Sequence, residues 1–278
     1  MPPLSVFTAT RYVQPLREGG SLPAVVDTAG GGLFVVKFRG AGQGARALIA
    51  ELVAGLLARA LALPTPELVL VEVPPQFGRS EPDPEIQDLL RGSHGLNVGA
   101  RYLDGAFNFD PAAAGEFVSL ELAARIVWFD AFLTNPDRTH RNPNILIWER
   151  RPWLIDHGAA LYAHHDWASV DEARTRSAFP LIERHVLLAR SGDLEAADAE
   201  LADLLSESVI DEVLAAVPDT LLTAPSGRAA PMTAAAARDR YRSYLLTRLR
   251  SPRDFVGAAM AARERLLREP PRPLSARR

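Results

Sequence analysis

Up to Asp104-Gly105 the apolar residues of this chain fall mostly in short β-branched runs, and beyond it they recur at intervals of three and four. Strand pattern first and helix pattern second predicts an α+β fold with sheet and helices segregated, and argues against a parallel α/β sheet. Ala24-Val25-Val26-Asp27-Thr28 and Leu33-Phe34-Val35-Val36-Lys37-Phe38 read as strands joined through Ala29-Gly30-Gly31-Gly32, where glycine supplies the positive φ of a hairpin turn. Leu48, Leu52, Leu56 and Ala60, flanked by Ile49, Val53 and Leu57, mark one face of a helix over 43–62 that Leu63-Pro64 stops. Further strands are expected at 67–73 and 97–103, with a Pro-rich loop at 74–84 and a short helix at 85–90 between them.

The second half predicts a helix at 118–133, with Val118, Leu122, Ile126, Phe129 and Leu133 along one stripe. A polar stretch from Thr134 to Asn144 interrupts the pattern, and Ile145-Leu146-Ile147-Trp148 and Trp153-Leu154-Ile155-Asp156 then form a hairpin around 149–152. Helical segments resume at Trp167, broken near Gly192, Pro218 and 225–227, and end in helices at 234–249 and 254–267. The chain thus divides into 1–104, mainly antiparallel sheet with one major helix, 105–268, mainly helical, and a frayed tail at 269–278.

Composition narrows the functional classes. No cysteine is present, which excludes disulfides and thiolate metal sites. No apolar run is long enough to span a bilayer, and Met1-Pro2-Pro3-Leu4 lacks the basic-then-apolar start of an export signal, so a soluble cytoplasmic protein is expected, with no membrane partner. A net charge of −3 carries no overall nucleic-acid signature, and nothing in the sequence directly supports a nucleic-acid partner. The charge is uneven, however: thirteen Arg against four acids from Arg228 onward make +9, leaving −12 for the rest. Solvated helix faces are the favoured reading of that region, with docking on an acidic surface or a polyanion as alternatives. Of the 31 basic residues Lys37 is the only lysine, which is either a chance survivor of a composition that favours Arg or a position where a compact ammonium is wanted and a planar guanidinium would not substitute.

The densest motif is Asn135-Pro136-Asp137-Arg138-Thr139-His140-Arg141-Asn142-Pro143-Asn144, followed by Asp156 in Leu154-Ile155-Asp156-His157-Gly158. Phosphoryl transfer needs a carboxylate for the acceptor hydroxyl, an Asn and a second carboxylate for magnesium, and a cation on the nucleotide phosphates. Each part is present, the cation as Lys37 ahead of Asp137, the asparagines and Asp156. On these residues the chain resembles the HipA-like kinases, a bacterial branch of the protein-kinase-like superfamily whose loop reads Asp-Arg-His-x-x-Asn, a form shared by phosphatidylinositol kinases. The resemblance spans roughly residues 15–190 and implies a two-lobed fold with Mg-ATP held between the lobes. It implies transfer of the γ-phosphoryl group to a hydroxyl acceptor, usually a protein serine or threonine. A nucleotide-binding pseudokinase and a kinase for a small molecule or lipid headgroup are the alternatives.

Carried over by position, Asp137 is the catalytic base, Arg138 its loop-holding companion and Asp156 the metal-binding aspartate, with His157 where the family has an aromatic residue. Asn142 stands at the family's interval after Asp137, whereas Asn144 directly precedes the strand as the ligand does. Both are candidates for the metal, Asn144 being preferred. His140 lies one position later than the family's histidine, and a structural hydrogen bond is expected of it. Lys37 matches the phosphate-contacting lysine and Glu51, the only acid between Lys37 and Glu67, its helix partner. Alternation along the strand turns Lys37 away from Val36 and Phe38, into the cleft if those two pack inside. Gly20 and Ser21, in Glu18-Gly19-Gly20-Ser21-Leu22-Pro23, are weaker candidates for a nucleotide loop, a simple turn being equally compatible. Leu103-Asp104-Gly105 is the expected hinge at adenine.

Other signals compete. Gly40-Ala41-Gly42-Gln43-Gly44-Ala45 satisfies a dinucleotide fingerprint, but its strand is preceded by a hairpin partner and no acid ends a second strand at the right distance, so within the kinase reading it is a link toward the γ-phosphate. His164-His165-Asp166 reads as a surface turn rather than a metal site, since adjacent histidines on an extended chain point apart. Trp128, Trp148 and Trp153 are expected to pack around the hairpin.

Overall fold

The computed structural model describes residues 2–16, 22–42, 44–79, 81–224 and 232–268. Strands β1 (Val6–Pro15), β2 (Ala24–Thr28), β3 (Gly32–Lys37), β4 (Leu68–Val73) and β5 (Gly95–Arg101) close into a barrel in the order β1-β2-β3-β5-β4. All pairings are antiparallel except β1 with β4, which run parallel in the register Val6 to Leu70. The expected mainly antiparallel sheet is therefore present and closed on itself, which removes its free edges. Period-2 alternation fills the interior with Ala24, Val26, Phe34, Val36, Phe38, Val69 and Val71. Helix α2 (Pro84–Arg91), capped by Asp83, covers one end with Ile86, Leu89 and Leu90.

Helix α1 (Gly44–Ala60) is buried on every side from Ala47 to Ala58. Its apolar stripe is wider than one face because β4 and β5 lie against it on one side and α7 (Glu207–Ala215) and α8 (Asp219–Leu222) on the other. Gly55 is the point of closest approach, where a Cβ would run into the side chain of Leu68. The core of α1 is continuous with that of the helices that follow it in the chain, whereas the barrel interior is a separate cluster.

After the short strand β6 (Phe107–Asn108) and the turn of helix α3 (Ala114–Phe117), α4 (Leu120–Phe132) runs through the centre, capped by Ser119. Strands β7 (Ile145–Trp148) and β8 (Arg151–Leu154) form the expected hairpin. Its turn residues Glu149 and Arg150 both have positive φ, as a two-residue turn matched to strand twist requires. From Tyr162 to Arg190 the chain makes three 3₁₀ segments and the single turn of α5 (Glu172–Thr175) in place of longer helices. Helices α6 (Leu194–Leu204), α9 (Ala234–Leu249) and α10 (Asp254–Arg268) complete the helical part. The segment 225–227 and the tail 269–278 lie outside the described residues.

The basic region after Arg228 is not simply a solvated face. Arg238 binds Asp219 at 2.5 Å, Arg242 binds Asp211 and Glu207 at 2.7 and 2.9 Å, and Arg253 binds Asp198 at 2.6 Å, so the acidic α6–α8 stretch is its partner. Arg248 goes further and is buried. Its guanidinium donates to the Phe132, Ala131, Thr175 and Ser177 carbonyls at 2.6 to 3.1 Å, capping the carboxyl end of α4. Trp128, expected beside the hairpin, instead stacks on Phe132 and donates to Asp198 at 2.6 Å, while Trp148 and Trp153 do meet edge to face at 5.5 Å. Arg248→Met strips four carbonyls, three of them buried, of their donor and should lower stability by ~3 kcal/mol. The check is a urea titration in which the midpoint falls with an unchanged slope; an unshifted midpoint contradicts the capping role.

Candidate active site

Alternation along β3 turns Lys37 away from the barrel interior that Val36 and Phe38 fill, and toward a cavity of about 780 Å³. Barrel residues Val35, Lys37 and Val98, α1 through Glu51, the 101–109 stretch and the loops carrying Asn142, Asn144 and Asp156 all line it. The ammonium donates to Glu51 Oε2 and to Asp156 Oδ1, each at 2.6 Å, so three chain segments converge on one nitrogen. Burial alone would lower the pKa of this ammonium, but the two carboxylates outweigh it and hold the group above its ordinary value. Burial likewise pushes the Asp156 carboxyl up, and Lys37 with the Gly158 backbone amide overrides it, leaving it ionised and below the usual range.

The Asp137 loop is held from beneath. Asp130, on α4, is fully buried and accepts from Arg138 Nε at 2.6 Å, from His185 Nε2 at 2.9 Å and from Asn135 Nδ2 at 2.8 Å. Burial opposes ionisation of Asp130, yet Arg138 and His185 hold its carboxyl far below the carboxylate range. Arg138, also without solvent access, donates to the Asn144 carbonyl, to the Ile155 carbonyl at 3.5 Å and toward His157 Nδ1 at 3.4 Å. One guanidinium thus ties α4, the start of β7 and the Asp156 loop together. Asn144 and Asp156 both sit at positive φ, 49° and 53°, a conformation disfavoured for non-glycine residues that this network maintains. The Ile155 amide donates to the Asn144 carbonyl at 3.0 Å, locking the two turns side by side.

Asp137 is half-buried. Its Oδ2 accepts from Asn142 Nδ2 at 2.9 Å and from Asn144 Nδ2 at 3.2 Å, and among the described residues no hydrogen bond reaches Oδ1. Both asparagines therefore reach the acid, but Asn144 is buried beside the Asp156 turn while Asn142 is exposed. Among the described residues no three His, Cys, Asp or Glu side chains cluster as a closed metal cage. Carboxylate and amide oxygens from Asp156 and Asn144 are the hard, partial donor set that magnesium takes when phosphates and water complete its shell. The expected hinge also lines the cavity at Leu103, and Trp148 Nε1 donates to the Asp104 carbonyl at 2.9 Å.

Other expected positions fall elsewhere. Gly20 and Ser21 lie outside the described residues. In the Gly40–Ala45 stretch, of which Gln43 lies outside the described residues, the Gly40 amide donates to Ser93 Oγ at 3.1 Å and a Cβ there would stand 2.8 Å from the Leu89 carbonyl, so this glycine serves close backbone packing against α2. His140 is exposed, and no hydrogen bond holds its side chain among the described residues. His157 fills the aromatic position as a neutral ring set edge to face on Phe129; burial, seconded by Arg138, pushes its pKa down to about 3. Sequence assigned His185 only a structural role and did not single out Asp130, although an aspartate in an otherwise apolar stretch of α4, eight residues before Arg138, was the available signal.

His164 overturns the surface-turn reading of His164-His165-Asp166. It is fully buried, with Nδ1 3.0 Å from the Tyr241 hydroxyl, and burial holds its pKa well below 6.5. Unfolding frees it to take up a proton, so its contribution to stability is complete above pH 6.5 and declines as pH falls below that value. Denaturant titrations at pH 7.5, 6.5 and 5.5 should show His164→Gln losing less stability on acidification than the wild type; parallel losses would contradict this.

Comparisons with known proteins bear on the fold and the family. No curated protein matches the chain. A solved structure, the Helicobacter pylori proinflammatory kinase CtkA, superposes with a TM-score of 0.53 at 12% identity, covering 98% of this chain and 100% of that one, which is a likeness of fold. The family model for HipA-like kinase matches residues 10–235, and with most of its length so matched this chain belongs to the HipA-like kinase family.

Proposed function

We propose that the protein is an ATP-dependent kinase that transfers the γ-phosphoryl group to a hydroxyl acceptor, a protein serine or threonine in the reading favoured by the family. The nucleotide would sit between an amino-terminal part ending near Asp104 and the helical part beyond it. The observation that carries the reading is the Lys37 ammonium 2.6 Å from both Glu51 and Asp156, at the wall of a cavity large enough for a nucleotide. Of the chain's 31 basic residues this alone is lysine, and it stands where a compact donor can serve phosphate oxygens while braced by a buried glutamate.

Each residue has a separate task. Lys37 donates to phosphate oxygens, with Glu51 fixing its direction. Asp137 is oriented by the two asparagine amides on Oδ2, which leaves Oδ1 to accept the acceptor's hydroxyl proton. Arg138 holds the loop and does not touch substrate. Asp156 and Asn144 would hold magnesium, which when bound neutralises phosphate charge. Asn142 is then a second brace for Asp137 rather than a ligand.

Phosphoryl transfer is measured with labelled ATP as autophosphorylation or on a generic protein acceptor. Asp137→Ala should lower the rate by ~10²–10⁴-fold with the fold retained. Lys37→Arg should lower it by roughly 10-fold or more, because the guanidinium cannot occupy the ammonium's place between two carboxylates. Wild-type rates in either purified variant would contradict the assignment.

A further inference from the structure

Among the described residues three cations line the cavity: Lys37, Arg101 and Arg141. Two are already neutralised. Lys37 lies between two carboxylates, and Arg101 donates to Glu67 at 2.7 and 3.1 Å and to the Gly31 carbonyl at 2.5 Å, with its guanidinium carbon 4.2 Å above Phe34. Arg141 is different. It is exposed, and among the described residues no hydrogen bond, ion pair or ring contact engages its side chain.

Its backbone is nevertheless placed. Thr139 N donates to the Asn142 carbonyl at 3.0 Å and Asn142 N to the Thr139 carbonyl at 3.2 Å, closing a tight turn that carries His140 and Arg141. The next residue, Asn142, binds Asp137 Oδ2 directly. A free guanidinium therefore starts one residue from a side chain that touches the acid assigned to the acceptor hydroxyl, and on the wall of the cavity that Asn144 and Asp156 also line. Around that end the charge is Lys37 against Glu51, Asp156 and Asp137, an excess of carboxylate into which a phosphate chain must be brought. An arginine offers a planar fork matched to two phosphate oxygens and keeps its charge at any working pH.

We propose that Arg141 binds the terminal phosphoryl group of the nucleoside triphosphate and carries the site's preference for a triphosphate over a diphosphate. The proposal rests on the nucleotide reading above and deepens it. During transfer the acceptor oxygen forms its bond to the γ-phosphorus and the bond to the β-phosphate oxygen breaks. The electron pair leaves with the diphosphate and the acceptor proton passes to Asp137, while Arg141 stays on the oxygens of the group being moved. It makes no contact with a diphosphate.

Calorimetric titration with magnesium and either a non-hydrolysable ATP analogue or ADP tests this in wild type, Arg141→Ala and Arg141→Lys, with the melting temperature of each free protein as the measure of folding. Arg141→Ala should weaken triphosphate binding by ~10-fold or more and leave ADP binding within about twofold, and Arg141→Lys should recover part of the loss as a point charge without the fork. Equal weakening of both ligands, or none, overturns the assignment of Arg141 while leaving the nucleotide reading in place. A folded wild type that binds neither ligand overturns both.

Discussion

The buried pair of Asp130 and Arg138 is the constraint on which the site depends. Two charges with no solvent access are expensive to desolvate, and such a pair contributes little net stability over an apolar replacement. Its value here is geometric. A guanidinium has donors on several sides, and each is aimed at a different segment: the α4 carboxylate, the carbonyl before β7, the carbonyl before Asp156 and the ring of His157. His185 and Asn135 occupy the remaining acceptor capacity of Asp130, so the charge is shared among neighbours that cannot move independently. Removing one partner would leave the other charged and uncompensated, which is why the network behaves as a single unit.

Above that base, two left-handed residues, Asn144 and Asp156, point their side chains out of adjacent turns toward the cavity. The barrel contributes Lys37 to the meeting point, directed there by strand alternation. Helix α1 supplies Glu51 from a segment whose apolar surface is continuous with the helical part, so the ion pair of Lys37 with Glu51 links the two apolar clusters across the cavity wall. Position in the barrel wall, burial of the helix and strain in the loops thus converge on a few polar atoms.

Much of this was legible in the sequence. Lys37, Glu51, Asp137, Asn144 and Asp156 stand out because their order and spacing carry chemistry, and the hairpin at 145–154 because apolar runs flank a tight turn. Strand β1 was not legible: of its ten residues only Ala9 is buried, and two bulges against β2 break the alternation. Asp130 and His185 acquire meaning only through contacts that span 8 and 55 residues, which no local pattern encodes. The stretch 162–190 misleads for a related reason: His164 and Trp167 are held by Tyr241 and Tyr244 of a helix far along the chain, so its burial does not follow a helical period.

The most direct test of the account is a crystal structure with magnesium and a non-hydrolysable ATP analogue. The account predicts triphosphate in the cavity with Lys37 Nζ on its phosphate oxygens and the metal held by side-chain oxygens of Asp156 and Asn144. Nucleotide bound elsewhere, or a metal coordinated without Asp156, would contradict it.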